Sequence, residues 1–400
     1  MNSRKKIAIY SGSIPSTSFI EHLITTVAVD HEVLLFGTKQ GSISYTSKHI
    51  KVIDTPLDPL RNIPITLFRT LRLFLNCPKL VQMAYHEAIT YKGYYQKWIR
   101  FSRFIPVLLY RPDVFHLQWA VKINRWLFLK KAYNCKIVLS LLGTHINISP
   151  KIDLELKYTY EQCFPNVDAF HAVSKTLAKE ATRYGVNPDV IRVIHTIVPQ
   201  IAIDQFRLPN LEAKNHLNLL SVGRHHWVKG YNYAMHAIKL LLDQGVEVNY
   251  TIIAPNPPNE ELLFLVKDLG LQDIVFYRSA LPQGELFATM QSFDLLLQSS
   301  VSEGIANVVL EAMALGVPVI STDSGGMAEV VIPEITGWLV PVRDSKSISD
   351  AVIARMKTSQ PKLNTLLINA KNLIVTNFEP RQIGQQFSAM YEQLKMDALF

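Results

Sequence analysis

The chain has few of the features that define secreted or zinc-binding proteins. Its 400 residues include only three cysteines, Cys77, Cys135 and Cys163, with neither a C-x-x-C pair nor histidines at a spacing suited to zinc. An odd number of cysteines does not make the disulfide framework of a small secreted protein. We therefore expect buried thiols in a reducing cytoplasm and no metal site.

Long uncharged apolar runs are also missing. The first apolar run, IAIY at residues 7–10, follows a basic start but ends at the polar segment SGSIPS. It is too short for the core of a signal peptide. No stretch reaches the roughly 18 apolar residues of a membrane-spanning helix. The expectation is a cytoplasmic chain with neither an export signal nor a membrane span.

Acidic residues are scarce in the first half of the chain. Residues 1–200 hold 26 Lys and Arg against 13 Asp and Glu, whereas residues 201–400 hold 15 against 20. Residues 61–136 carry 14 basic side chains and only two acidic ones, among 15 aromatics. This mixture favours contact with an anionic membrane, as expected of a peripheral protein at the inner face of the plasma membrane.

Two alternatives remain open for residues 61–136. One is a set of solvated helix faces over an aromatic core. The other is a nucleic-acid surface, but no helix-turn-helix, zinc-finger or RNA-stacking signature accompanies the charge. We therefore expect no nucleic-acid partner.

Short apolar strands alternate with helical segments along the whole chain. At 48% hydrophobic residues the chain has enough apolar side chains for two domains. The alternation lapses at residues 198–215, which we interpret as a linker. The alternation on either side of this linker predicts an α/β protein with two doubly wound domains facing each other across a cleft. The predicted strands of the first half are residues 5–11, 31–37, 112–119, 135–143, 167–174 and 191–196.

The segment SEGIANVVLEAMALGVPVISTDSGG, residues 302–326, is the most informative part of the chain. It follows a predicted strand at 294–300 and contains a loop, a helix that begins near Asn307 and a second strand at 317–322. Ligands bind at the carboxyl ends of strands in such sheets. The helix directs its free N–H groups and its positive dipole end to the same place. The segment therefore predicts an anion site.

Two more loops follow predicted strand ends and should lie beside this segment. One contains Arg224 and Lys229, which are charged donors for phosphate oxygens, and the other is the DSGG turn at 323–326, where glycines allow close approach. The ligand implied is a diphosphate. Glu303 and Glu311 would repel phosphate, but carboxylates accept hydrogen bonds from sugar hydroxyls. A diphosphate with a sugar on each side is a nucleotide-sugar.

Three motifs resemble the nucleotide-binding domain of the retaining glycosyltransferases of family 4, the group 1 glycosyltransferases with the GT-B fold and a Glu-x7-Glu motif. They are SVGRHHWVKG at 221–230, residues 302–331, and TGWLVP at 336–341. The resemblance implies that the catalytic residues Arg224 and Lys229 bind the donor diphosphate. By the same resemblance Glu311 binds the ribose, and the catalytic Glu303 contacts the transferred sugar. The backbone amides implied to hold the donor belong to Gly304, Ile305, Ala306, Asn307 and Val308. For Glu311 the alternative is a solvated helix carboxylate, and for Arg224 and Lys229 it is an ordinary surface charge.

The first half resembles the family more loosely. Gly12 and Ser13, in a segment similar to the family's opening strand and acceptor-side loop, would approach the donor phosphates. Leu142 stands where many members have a histidine. His116 and His145 are therefore candidates for contact with the sugar or acceptor, with a purely structural role as the alternative for each.

The resemblance also implies a domain plan and a mechanism. Residues 1–198 would bind the acceptor, 199–377 the nucleotide-sugar, and the helix within 378–400 would cross back to the first domain. Transfer would retain the anomeric configuration. Since no Asp-x-Asp motif occurs, we expect a metal-independent enzyme without a cofactor, whose donor is a nucleoside-diphosphate sugar. The expected acceptor is a saccharide, in lipid-linked form, in the synthesis of a bacterial surface polysaccharide.

Two other functions fit parts of the pattern. A nucleotide-sugar epimerase of similar two-domain shape would consume the donor without an acceptor. A non-catalytic nucleotide-binding or membrane-surface module would bind without turnover. The retained charges at Arg224, Lys229, Glu303 and Glu311 argue against such a decayed site.

Overall fold

The computed structural model describes residues 4–210 and 216–394, which divide into two compact units. The first unit comprises the described residues up to Val173, Ala178–Ile194 and the chain from Ile383 onward. The second comprises Ser174–Leu177 and His195–Gln382. Within the described residues, no helix is long and apolar enough to cross a membrane.

The first unit is built on one parallel sheet of eight strands. Strands β1 and β5 are neighbours, so the order of the sheet reverses between them. The six strands predicted for this half are present. The short strands β2 and β4 were missed, because one has three residues and both adjoin polar sequence. The strands are β1 Lys6–Tyr10, β2 Gly12–Ile14, β3 Glu32–Lys39, β4 Ile50–Asp54, β5 Val114–Leu117, β6 Lys136–Leu141, β7 Ala169–Ala172 and β8 Ile191–Val193.

Helices connect most of these strands, as is usual for parallel pairing, whereas β1–β2 and β3–β4 are joined without a helix. Three long helices, α2 to α4, fill the interval between β4 and β5 and pack against one another. The helices up to residue 182 are α1 Ser18–Val27, α2 Pro59–Asn76, α3 Pro78–Ile89, α4 Tyr94–Tyr110, α5 Phe128–Tyr133, α6 Thr144–Asn147, α7 Ser149–Ile152, α8 Leu154–Cys163 and α9 Lys175–Thr182.

The cysteines carry no disulfide, but their burial differs from the prediction. Cys135 is buried, whereas Cys77 and Cys163 are only partly buried. Both of the latter lie at helix ends, where the chain leaves the core.

The second unit has a parallel sheet of six strands in the order β11-β10-β9-β12-β13-β14. The order reverses between β9 and β12. The strands are β9 His216–Val222, β10 Glu247–Ala254, β11 Val275–Ser279, β12 Leu295–Gln298, β13 Val319–Thr322 and β14 Trp338–Val340. Separate apolar clusters cover its two faces. The doubly wound α/β prediction is confirmed.

Part of the predicted linker is structured. Residues 200–204 form a short helix whose Ala202 and Ile203 are buried, and residues 211–215 lie outside the described part of the chain. The remaining helices are α10 Gln200–Asp204, α11 Tyr231–Asp243, α12 Glu260–Asp268, α13 Gln283–Met290, α14 Asn307–Leu315, α15 Ser345–Met356, α16 Gln360–Asn377 and α17 Pro380–Gln393.

Helix α14 is apolar on nearly every side. Seven of its nine residues are buried, with Asn307 and Glu311 as the partly buried exceptions. A helix of this composition belongs in a core rather than at a surface. It ends at Gly316, whose φ of 80° allows the left-handed cap that stops the helix. The core therefore fixes the direction of its N-terminus.

Helix α17 belongs to the first unit from Ile383 on. Its buried Tyr391 accepts a hydrogen bond from Lys5 Nζ at its carbonyl oxygen (2.7 Å) and bonds His116 Nδ1 through its hydroxyl (2.7 Å). The C-terminal helix is thereby attached to Lys5, which precedes β1, and to strand β5 of the first sheet.

Candidate active site

The loops after β9 and β12 leave the second sheet at the point where its strand order reverses, which is where such sheets bind ligands. Lys229 lies in the first loop and Glu303 in the second. Lys229 Nζ is 2.7 Å from Glu303 Oε1, and both side chains are largely shielded from water. The prediction placed the two residues in neighbouring loops, and the structure joins them directly.

Two buried polar residues orient the carboxylate of Glu303. Ser300 Oγ donates to Glu303 Oε1 at 2.8 Å, and Gln298 Nε2 donates to the same oxygen at 3.1 Å. Gln298 also donates to Ser300 Oγ at 2.7 Å. Sequence reasoning missed both residues. The sequence signal for them was the polar run Gln-Ser-Ser at the end of an apolar strand. Polar side chains that are buried at such a place need hydrogen-bond partners.

The two loops approach closely because glycine stands where they meet. Gly230 has a φ of 62°, and a Cβ there would overlap the carbonyl of Ser299. Ser299 Oγ donates to the Lys229 carbonyl at 2.9 Å, and the amide of Val301 donates to the carbonyl of Val228 at 2.8 Å. Any other residue at position 230 would push the lysine loop away from Glu303.

The predicted DSGG turn closes the other side of the Glu303 loop. Gly325 has a φ of 66°, and a Cβ there would overlap the carbonyl of Glu303. The amide of Gly326 donates to the carbonyl of Gly304 at 2.7 Å. These two glycines therefore support the backbone of the loop.

The N-terminus of α14 follows directly. Its capping position, Ala306, offers no side-chain acceptor to the first turn. The side-chain oxygen Oδ1 of Asn307 is buried and has no hydrogen-bond partner among the described residues. Uncapped N–H groups and the helix dipole favour an anion here. The backbone from Gly304 through Ile305 and Ala306 to Val308 lies in the buried approach to this end.

Glu311 lies just beyond the first turn of α14 and is partly buried. Desolvation raises the pKa of its carboxyl to about 7, against a smaller opposing effect of a hydrogen bond from Gln283 at the start of α13. Near neutral pH the carboxyl group of Glu311 is therefore partly protonated and partly ionised. Sequence reasoning missed Gln283, which precedes Glu311 by 28 positions on another helix.

Arg224 follows β9 after Gly223 and is exposed. Within residues 4–210 and 216–394 its side chain forms no ion pair or hydrogen bond. Its neighbour His225 is held by Asn256, which accepts from the His225 amide at 3.0 Å and contacts Nδ1 through its carbonyl at 2.7 Å. The loop is thus fixed at His225, and the guanidinium of Arg224 is available to a ligand.

Gly12 and Ser13 form part of β2 in the first unit. Gly12 has a φ of 95°, and a Cβ at that position would lie 3.6 Å from Lys122 Nζ. Burial, together with Arg125, Arg103 and Arg100, lowers the pKa of Lys122. The approach of Gly12 and Ser13 to donor phosphates stays a prediction.

The structure does not support the predicted contact between His116 and the sugar or acceptor. The side chain is fully buried in β5, and its nitrogens contact Tyr391 Oη at 2.7 Å and Ser140 Oγ at 2.8 Å. Burial, with a smaller effect of His171, places the pKa of His116 well below its usual value. Tyr391 is 275 positions away in the sequence, so no local pattern could reveal this structural role.

Leu142 and His145 follow the end of β6. His145 is partly buried in α6, with its ring edge-on to Trp119 at 5.6 Å between centroids. Leu142 is partly buried and brings no polar group to this position. A role for His145 in binding sugar or acceptor stays a prediction.

Metal ligands were not expected from the sequence. Among the residues that the structure describes, no group of three or more His, Cys, Asp or Glu side chains could hold a metal ion.

Comparison with solved structures defines the class of fold. A crystal structure of HepE from Anabaena, in complex with UDP and glucose, matches with a TM-score of 0.68 at 17% identity, over 98% of this chain and 100% of that one. The two parallel α/β units therefore have the GT-B fold of glycosyltransferases.

Two family profiles cover most of the sequence. "Glycosyl transferases group 1" matches residues 203–373, and "Glycosyltransferase Family 4" matches residues 27–199. The chain belongs to the group 1 glycosyltransferases.

Its curated relatives include two bacterial glycosyltransferases. The putative colanic acid biosynthesis glycosyltransferase WcaL of Escherichia coli is 27% identical over 244 residues, 59% of each chain. The amylovoran biosynthesis glycosyltransferase AmsK of Erwinia amylovora is 26% identical over 247 residues, 60% of each chain. The matched region thus spans about 60% of the length of these relatives.

Proposed function

We propose that the chain is a glycosyltransferase that moves a sugar from a nucleoside-diphosphate sugar to a saccharide acceptor. The observation that carries the proposal is the Lys229–Glu303 pair beside the uncapped N-terminus of α14. A cation, a carboxylate and free helix N–H groups are the partners that a sugar diphosphate needs at one place.

Each group has a distinct role in this proposal. Arg224, Lys229 and the N–H groups at Asn307 and Val308 bind the diphosphate. Glu311 accepts hydrogen bonds from the ribose hydroxyls, and Glu303 binds the transferred sugar. Gln298 and Ser300 orient Glu303 through the hydrogen bonds described above.

The reaction exchanges one C–O bond for another. The bond from the anomeric carbon to the β-phosphate oxygen breaks, and a bond to the acceptor hydroxyl oxygen forms on the same face of the sugar. The departing phosphate takes the acceptor proton, so the configuration is retained without a separate base. Negative charge builds on the leaving phosphate, and the cations with the helix N-terminus stabilise it in place of a metal ion.

The acceptor is proposed from the relatives and from the basic first unit. WcaL and AmsK are named for colanic acid and amylovoran biosynthesis. We assign this chain to the assembly of a bacterial surface polysaccharide on a lipid-linked saccharide. It would work in the cytoplasm, as a peripheral protein at the inner face of the plasma membrane.

A binding screen followed by a product assay tests the proposal. Titration calorimetry with UDP, GDP, ADP and dTDP identifies the base, and the matching nucleotide-sugars are then incubated with and without saccharide acceptors in the presence of EDTA. We expect nucleotide release coupled to glycoside formation. Conversion of the donor without an acceptor would indicate the epimerase instead, and binding without turnover would indicate the non-catalytic module. Failure to bind any nucleoside diphosphate would overturn the proposal.

A further inference from the structure

Helix α2 reverses the usual arrangement of a surface helix, because polar side chains are buried on its inward face and large apolar side chains are exposed on its outward face. Its inward face contains Asn62, Thr66 and Leu73, which are buried. Its outward face carries a row of large apolar side chains at helical spacing, exposed by between 44% at Ile63 and 86% at Leu60. The exposed apolar row consists of Leu60, Ile63, Leu67, Phe68, Leu71, Phe74 and Leu75.

Polar contacts fix this orientation. Asn62 Nδ2 donates to the Pro56 carbonyl at 2.7 Å, and Asn62 Oδ1 accepts from Trp98 Nε1 of α4 at 2.8 Å. Thr70 Oγ1 donates within the helix to the Thr66 carbonyl at 2.7 Å. Turning the apolar row inward would break the buried bonds of Asn62, which is costly. The row therefore stays outward.

The charged side chains within residues 59–86 all have one sign. Residues 59–86 contain no Asp or Glu but include four basic side chains, of which Arg61, Arg72 and Lys79 are exposed. Arg61 makes only a long, solvent-exposed contact with Asp54 (3.9 Å). A contiguous apolar surface with a basic border is the pattern of a helix that lies in the interface of an anionic membrane.

A pocket beside the row adds a place for a lipid. It has a volume of about 480 Å³ and lies between α2 and the end of α4. Its lining combines the apolar Phe68 and Leu109 with the basic Arg69 and Arg72. Such a lining suits an anionic headgroup next to an acyl chain.

We infer that the exposed row of α2 is a membrane-binding surface, which inserts its apolar side chains between anionic lipids while Arg72 and Lys79 pair with their headgroups. The inference rests on the lipid-linked acceptor of the proposed function and names the residues that bring the enzyme to it.

A second copy of the chain is a poorer occupant. Pairing two such rows would bring Arg72 and Lys79 of each copy together, and residues 59–86 hold no acidic group to neutralise them. Anionic headgroups supply the missing negative charge.

Vesicle co-sedimentation of the full chain tests the inference. We expect wild type to bind vesicles of phosphatidylglycerol and phosphatidylcholine and to bind pure phosphatidylcholine far less. The triple variant Leu67→Ser, Leu71→Ser, Phe74→Ser should bind the mixed vesicles at least about tenfold more weakly, since it loses three inserted side chains. The double variant Arg72→Gln, Lys79→Gln should bind the mixed vesicles more weakly by about fivefold for each charge removed.

The matched control is Leu263→Ser with Phe264→Ser. These side chains are also exposed, on α12 of the second unit, and should leave vesicle binding unchanged. Thermal unfolding of each variant shows that the fold is intact, which is expected because all the substituted residues are exposed.

Three results would overturn the inference: wild type that does not bind anionic vesicles, a triple variant that binds like wild type, or a lipid-free dimer in sedimentation velocity that the triple substitution dissociates. Titration of the same preparations with nucleoside diphosphates separates the two proposals. Nucleotide binding without vesicle binding rejects only the membrane surface, and the converse rejects only the proposed function.

Discussion

Lys229 Nζ lies 2.7 Å from Glu303 Oε1, so the cation proposed for the diphosphate and the carboxylate proposed for the sugar neutralise each other before a ligand binds. The pair makes the site tolerant of an anion although a glutamate faces it. Without the lysine, the carboxylate would repel the donor.

The first prediction concerns this pair. Lys229→Ala should weaken binding of the nucleoside diphosphate by about 1.5–3 kcal/mol, the usual loss for a hydrogen bond to a charged group. It should also lower the free energy of unfolding, because Glu303 would stay shielded from water without its cation. Calorimetry and urea unfolding measure the two effects.

A double-mutant cycle provides the control. Glu303→Gln removes the unpaired charge, so the double variant should be more stable than Lys229→Ala alone, with a coupling of about 0.5–3 kcal/mol. Strictly additive effects would mean that the two residues do not interact in solution.

The second prediction is that Arg224 contributes to catalysis but not to the stability of the fold. Its guanidinium is exposed and forms no ion pair within the described residues, so Arg224→Ala should leave the melting temperature unchanged. Turnover should fall by about 10²-fold or more, because a charge-stabilising donor is lost at the leaving phosphate. Steady-state kinetics with the identified donor measures the change.

Arg278→Ala is the matched control, since Arg278 is an exposed arginine on the edge strand β11 of the same unit. A wild-type rate for Arg224→Ala would remove Arg224 from the site.

The sequence predicted both parallel sheets and the meeting of three loops, because apolar strands and glycine-rich turns are local patterns. It did not predict Gln298, Ser300 or Gln283, because the side chain that a carboxylate meets depends on how elements far apart in sequence are packed. His116 shows the same limit. A histidine in an apolar strand was compatible with a substrate contact. Only its hydrogen bond with the distant Tyr391 reveals that His116 is structural.

The third prediction follows from the raised pKa of Glu311. A carboxyl with a pKa of about 7 in the folded chain, against 4.5 as its ordinary value, binds its proton more tightly when folded. Its contribution to stability therefore falls as the pH rises from about 4.5 through 7. Glu311→Gln should abolish this dependence, so its free energy of unfolding relative to wild type should rise by about 2.5 kcal/mol between about pH 5 and pH 8, as measured by urea unfolding at each pH.

Nucleotide binding gives an independent check of the same group. Ribose hydroxyls that donate to Glu311 favour its ionised form, so binding should release a proton near neutral pH in wild type but not in Glu311→Gln. Calorimetry in buffers of different ionisation enthalpy detects the release. Equal release by both proteins would assign the proton to another group.

The fourth prediction concerns Ser300, which acts on the substrate through Glu303. Ser300→Ala removes the 2.8 Å hydrogen bond to Glu303 Oε1 and leaves Lys229 in place. Because Glu303 binds the sugar in our proposal, kcat should fall by about tenfold while the affinity for the free nucleoside diphosphate stays near that of wild type. Ser321→Ala is the control, since the hydroxyl of this buried serine donates to the Thr322 carbonyl on β13. A loss of nucleotide affinity equal to the loss of kcat would show that Ser300 supports the whole loop rather than the orientation of Glu303.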